Sequence, residues 1–144
     1  MKFLSTYISK WFRFLPALML VALVGLFIWN LLEHGIVKHP GQAVFQERCA
    51  QCHGDQGEGI KTLVPPLDDR EFARHHFDSI PCWLKNGLNH PIIIHGKVYD
   101  QPMYPSKLDD IQTANVINYL NNEYFKLDKE VNSAWVRKQW EGCE

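Results

Sequence analysis

The chain has 144 residues, 46% of them apolar and 12% aromatic, with 15 basic and 16 acidic side chains, a net charge of −1 and four cysteines. That length suits one ordinary domain, or a small domain with an anchor. The apolar and aromatic content excludes a wholly disordered chain, the near-zero charge gives no footprint for nucleic acid, and the cysteines are too sparse for a disulfide scaffold.

The first element is an uncharged run of 19 residues from Phe14 to Leu32. As a helix at about 1.5 Å per residue it spans roughly 28 Å, close to a bilayer core of about 30 Å. Pro16 falls near its start, where a helix tolerates proline, and Trp11 and Trp29 fall near its ends, where interfacial tryptophans are expected. A soluble core helix would keep a polar stripe, and this run has none. Lys2, Lys10 and Arg13 precede the run and Glu33 follows it. The positive-inside rule then gives a cytoplasmic N-terminus at residues 1–13, a transmembrane anchor at 14–32 in the inner membrane, and the remainder on the outer, periplasmic face. A cleaved signal peptide is the competing reading, but the run is long for one and no small-residue cleavage site follows it. No cysteine near the run offers a thiol for a lipid anchor. Residues 33–40, with His34, Gly35, His39 and Pro40, read as a linker. Residues 41–144 read as the exported domain. From Lys38 onward 12 basic and 15 acidic residues leave a net charge of −3, a mild acidity that points to no particular partner.

Next comes Cys49-Ala50-Gln51-Cys52-His53. This is C-x-x-C-H, the spacing of covalent haem attachment. Two thiols add across two vinyl groups as thioethers, and two intervening residues let both reach one edge of the macrocycle from one helical turn. The following imidazole becomes an axial iron ligand. A zinc site would want a second pair of ligands, and no second C-x-x-C is present. A thioredoxin-like dithiol would want a βαβ context, which the sequence does not show.

Residues 58–69 combine one glycine and two prolines without a sustained period and read as loop. Asp78, Ser79 and Pro81 have the order that starts a helix, and Gly87 fits its end. Ile92-Ile93-Ile94 is a strand or a buried loop. Outside position 1 and the apolar run, Met103 is the one methionine, held between Pro102 and Pro105 in a turn-rich stretch. Core filler is the usual role of methionine, but a rigid loop suits a ligand better. A thioether opposite histidine favours reduced iron. His75, His76, His90 and His95 are rival sixth ligands. Asp109 and Gln112 form a capping-box pattern, and Ile111, Val116, Ile117, Leu120 and Tyr124 then repeat at helical spacing. In the tail from Asn132, Trp135, Val136 and Trp140 suggest a short docked helix. Cys82 and Cys143 are left over from the haem motif. In an exported domain they are candidates for a disulfide stapling that tail, the alternative being two unpaired thiols.

At this point the sequence resembles the class I cytochrome c family over about residues 41–125. Gly41 and Phe45 ahead of Cys49 resemble its N-terminal helix. Gly54, Gly57 and Gly59, then Pro65-Pro66-Leu67, follow the histidine in the family's order. A middle helix over residues 80–87, Gly96-Lys97-Val98-Tyr99 before the methionine, and a last helix from Leu108-Asp109-Asp110-Ile111 complete the likeness. The resemblance implies an all-α domain wrapped around one covalent haem c, with its first and last helices crossing, preceded here by a single transmembrane helix. It implies Cys49 and Cys52 as attachment points, His53 and Met103 as axial ligands, and a proline carbonyl, that of Pro65, accepting the His53 Nδ1–H. Two departures stand out: Tyr104 separates Met103 from Pro105, and Cys82 and Cys143 belong to no general pattern of the family. Iron with both axial positions filled would carry single electrons in a respiratory chain rather than bind substrate. Its partners would be redox proteins of the membrane or periplasm, and it would not be an enzyme. A fixed haem subunit of a larger oxidase or reductase, and a haem gas sensor or enzyme with a labile distal ligand, are the alternatives. With a core this thin, the haem-free domain is expected to be poorly folded.

Overall fold

The structure is a computed structural model and describes residues 2–33 and 39–143, with side chains described for residues 14–31 and 39–143. The chain divides into two compact units, residues 1–38 and 39–144. The first holds helix α1 (Lys2–Glu33). It begins earlier than the apolar run because residues 2–13 contain no glycine or proline to stop it. Pro16 therefore lies inside the helix rather than near its start. Phe14–Leu31 is long and apolar enough to cross a membrane, and none of that window is buried. The expected linker at 33–40 is shorter at both ends, since Glu33 ends α1 and Pro40 opens the next helix, while residues 34–38 lie outside the described residues.

The second unit is mostly helical. Helix α2 (Pro40–Arg48) has proline at its first position, and the His39 ring nitrogen Nδ1 accepts the Gly41 N–H at 3.2 Å. This is a histidine cap in place of the usual hydroxyl or carboxylate. Helix α3 (Ala50–His53) follows after the single residue Cys49. Helix α6 (Asp110–Leu120) starts with the anticipated capping box: Asp109 accepts the Gln112 N–H at 2.7 Å and the Gln112 side chain accepts the Asp109 N–H at 3.2 Å. The core forms where α2 meets α6. Phe45, Val116 and Ile117 have no exposed surface, and the Phe45 ring lies 5.4 Å from that of Tyr119. Gly41 makes the approach possible, because a Cβ there would sit 1.9 Å from the Asn115 carbonyl oxygen.

Three elements differ from expectation. Helix α4 (Arg70–His76) was not anticipated, although Asp69 caps it by accepting the Phe72 N–H at 2.9 Å. A 3-10 turn (Phe77–Ser79) runs from it into α5 (Ile80–Asn86). Ser79 stands at the cap position of α5 but makes no capping hydrogen bond, because the preceding turn is already helical. The last helix does not continue regularly through Tyr124. It passes into a π-helical turn (Asn121–Phe125), which directs Phe125 inward. Ile111 is 60% exposed and lies off the buried stripe, since the crossing begins only at Thr113 and Ala114.

Residues 92–99 resolve as an antiparallel hairpin, β1 (Ile92–Ile94) and β2 (Lys97–Tyr99), in register Ile92↔Tyr99, Ile93↔Val98 and Ile94↔Lys97. The turn residues His95 and Gly96 both have positive φ, 48° and 73°, as a two-residue hairpin turn with right-twisted strands requires. The tail forms helix α7 (Ser133–Glu141), capped by Asn132 on the Trp135 N–H at 2.9 Å. It packs on α6 through Val136, which is fully buried. The Asn118 amide seals the segment before it, donating to and accepting from the Val131 backbone at 2.8 Å each way.

Candidate functional site

Cys49 is a junction residue: its N–H bonds the Phe45 carbonyl at the end of α2, and its carbonyl accepts from Cys52 at 3.1 Å and His53 at 2.9 Å. One turn of helix thus carries both cysteines and the histidine. Cys49 is half-buried and Cys52 exposed, and the two are not bonded to each other. Burial, reinforced by Cys52, pushes the Cys49 thiol up to about 11. A redox dithiol depends on a stabilised thiolate, so this environment argues against that reading of C-x-x-C. Among the described residues no group of three or more His, Cys, Asp or Glu converges as a metal site.

After His53 the chain folds back on itself. The Gly59 N–H bonds the His53 carbonyl at 2.7 Å, and Leu67 N–H bonds the Gly57 carbonyl at 2.8 Å. Gly59 has φ 72°, and a Cβ there would lie 2.4 Å from the Val64 carbonyl oxygen, so only glycine fits both the conformation and the space. This return places the Pro65 carbonyl 3.1 Å from His53 Nδ1. A carbonyl can only accept, so Nδ1 carries the proton and Nε2 keeps its lone pair, the state required of an iron ligand. Burial lowers the His53 pKa below the usual value for histidine, and the Pro65 contact partly offsets this. The net lowering, set by burial, disfavours a doubly protonated ring.

His53 opens on a cavity whose walls are almost wholly apolar. Its wall combines Cys49, Phe45, Pro65 and Leu67 with Phe72, Trp83 and Leu84, the hairpin residues Ile92 and Ile94, and Leu120 and Phe125. Asp69 is the charged member, and its two oxygens already accept the Phe72 N–H at 2.9 Å and the His95 N–H at 3.0 Å. Cys52 is not among the lining residues.

Met103 also lines this cavity, from a different element than His53. It pairs with Leu88 in both directions, N–H to carbonyl at 2.9 Å each way. Ser106 fastens the same loop, donating to the Leu84 carbonyl through N at 2.9 Å and through Oγ at 2.7 Å. Tyr104, the residue inserted before Pro105, points outward and is 80% exposed. The rival histidines lie elsewhere: His75 pairs with Glu71 at 2.8 Å, His76 packs at a tilt against Phe72 and Trp83, His95 pairs with Asp68 at 2.8 Å, and His90 is exposed. None of the four lines the cavity. Cys82 and Cys143 form a disulfide with Cα atoms 5.4 Å apart. Phe72, Trp83 and Phe125 also belong to the wall, which no sequence pattern assigns to them. Of these only Phe72 carried a signal, its place in the first turn after Asp69.

These residues fit a covalent haem. Two thiols free of each other stand on one turn, an imidazole presents its unprotonated nitrogen, a thioether shares the same cavity, and the walls are almost wholly apolar. Bound there, haem c supplies one-electron cycling between ferrous and ferric iron. Cys49 and Cys52 would hold it, His53 and Met103 would bind its iron, and the apolar wall would exclude water and favour the less charged ferrous state.

No curated protein sequence matches the chain. A family model described as Cytochrome c matches residues 39–123. That span covers more than half of the chain, takes in both crossing helices, and includes Cys49, Cys52, His53 and Met103. The chain belongs to the cytochrome c family and is a haem-binding electron-transfer protein.

Proposed function

We propose that this cytochrome carries one haem c and is held by α1 as a single-pass anchor in the inner membrane. Its haem domain would lie on the periplasmic face and pass single electrons between redox proteins of a respiratory chain. The observation that carries the reading is one apolar cavity lined by both His53 and Met103, with His53 Nδ1 committed to Pro65. Two strong axial ligands leave no position for substrate, so the work is electron transfer. Confinement to a membrane surface would keep the domain beside its donors and acceptors. Contacts with them would be small and short-lived, below about 1,200 Å² in total.

The test is a pair of spectra of the full chain purified with its haem. Oxidised protein should show the weak band at the red end that marks thioether ligation, and Met103→Ala should lose it and have a lower reduction potential. Rapid CO binding to ferrous wild-type protein would overturn the closed site and favour a sensor or enzyme. Pyridine haemochrome analysis should give one haem per chain, and the protein should stay with membranes after alkaline extraction.

A second reading, a fixed haem subunit of a larger oxidase or reductase, draws on Ile93 and Val98. They pair across the hairpin and are each 62% exposed, as residues of a permanent interface would be in the isolated chain. Stoichiometric co-purification of integral-membrane subunits would favour it over a free carrier.

A further inference from the structure

Helix α5 stands between the cavity and the tail. Ile80, Trp83 and Leu84 turn toward the cavity, and the carbonyl of Leu84 with the backbone of Leu88 holds the 102–106 loop through four hydrogen bonds. The opposite face carries Pro81, Cys82 and Lys85, as helical spacing dictates. That face is fastened to the tail three times. Cys82 is bonded to Cys143, the Pro81 carbonyl accepts the Trp140 indole N–H at 3.1 Å, and Lys85 Nζ lies 5.0 Å from the Trp140 ring centre. The tail is in turn fixed to α6 by Val136, by the Asn118–Val131 pair, and by an ion pair between Arg137 and Asp110.

A helix of seven residues is far below the length that holds its own shape in water, about 12–15 residues. Its position is therefore set by what grips it on each side. Remove the outer grip, and the end that holds Met103 loses its fixed reference. The staple also closes a loop of sequence separation 61 that contains Met103, so a detached methionine has less freedom to wander.

We infer that the Cys82–Cys143 bond and Trp140 are positioning elements for the methionine ligand: α7 clamps α5 from outside, and α5 clamps the Met103 loop. The inference rests on Met103 being an axial ligand. None of the three residues touches the cavity. Opening the clamp should loosen the thioether without altering haem attachment or His53.

The experiment compares haem-loaded full chains of wild type, Cys82→Ser/Cys143→Ser, Trp140→Phe and Met103→Ala. It reads the red-end ferric band and the affinity of ferric iron for added imidazole. The double serine variant should bind imidazole about tenfold more tightly than wild type, with the band weakened. Trp140→Phe keeps an aromatic ring, though a smaller one, but loses the N–H donor to Pro81 and should shift the affinity in the same direction by about fivefold, the equivalent of one hydrogen bond of about 1 kcal/mol. Should the serine variant fail to acquire haem, wild-type protein already carrying haem is treated with a phosphine reductant, and CO binding to its ferrous iron should become faster. If wild type shows the band, Met103→Ala abolishes it, and neither the staple variants nor the phosphine changes band, affinity or rate by as much as twofold, the clamp is overturned while Met103 stands. If wild type lacks the band and Met103→Ala binds imidazole no better, the ligand assignment fails and the clamp with it.

Discussion

Gly41→Ala separates local propensity from packing, because the two predict opposite signs. In an exposed helical position, alanine is more stable than glycine by about 0.5–1 kcal/mol. At position 41 the added Cβ would lie 1.9 Å from the Asn115 carbonyl oxygen, 2.5 Å from its carbon and 2.7 Å from the Tyr119 Cβ. The nearest atoms are backbone of α6 and cannot swing aside. Moving from 1.9 Å to the ordinary contact of 3.4 Å means opening the crossing by about 1.5 Å. That shift acts directly on Phe45, fully buried one turn further along α2 and packed on Tyr119 and Tyr124. Overpacking costs about 1–3 kcal/mol, and loss of part of the Phe45 contact adds a share of the about 3–5 kcal/mol that truncating a buried phenylalanine would cost. Set against the propensity gain, the net is a destabilisation of about 2–3 kcal/mol. With a urea slope of about 1–3 kcal/mol/M, the unfolding midpoint should fall by about 1 M or more. Urea titration of the haem-loaded full chain in detergent, followed by tryptophan fluorescence, measures it. A midpoint unchanged or raised would refute the close crossing of α2 and α6.

Three further outcomes are expected. Replacing both Cys82 and Cys143 by serine should cost about 2–4 kcal/mol of stability, the chain-entropy value for a loop of this separation being about 4, and a midpoint shift near zero in the same titration would contradict it. Asn118→Ala should cost about 2 kcal/mol by removing both hydrogen bonds to Val131, and hydrogen exchange should show the Val131 amide losing protection while Phe45's neighbours keep theirs. The His95 clasp should be pH dependent. Its hydrogen bond to Asp68, with the charges of Asp68 and Asp69, raises the His95 pKa, against the opposing effects of desolvation and, more weakly, of Lys97. A raised folded value means stability that is fully present below the ordinary histidine pKa and lost as pH rises through the folded one. The difference in melting temperature between wild type and His95→Asn should therefore shrink from about pH 6 to about pH 8, and a growing difference would refute the ion pair.

The haem motif and the cap of α6 were legible because each depends on neighbours in sequence. Cys49, Cys52 and His53 share one helical turn, and Asp109 with Gln112 closes a reciprocal pair over three residues. The apolar run of α1 was legible from composition alone, though not its start at Lys2, since helix propensity continues past the last charge. The hairpin at 92–99 stayed ambiguous because three isoleucines fit a strand or a buried loop equally. What separates these is the positive φ at His95, and a residue name does not report it. Helix α4 was hidden by its brevity and by its charged and aromatic composition, which gives a weak period over seven residues.

The local chemistry of the site was thus written in the sequence, and its assembly was not. Proximity along the chain puts two thiols and an imidazole on one turn whatever the rest of the fold does. The remaining features join residues far apart in sequence. The Pro65 carbonyl reaches His53 only because the loop returns over Gly59, and Met103 enters the same cavity because Leu88 and Leu84 hold its loop. Trp83 and Phe125 become cavity wall through the packing of α5 and the π-helical turn. Tail and middle helix meet through Cys143 and Trp140. Such contacts come from burying apolar faces against one another, and that choice among partners is made by the whole folded chain.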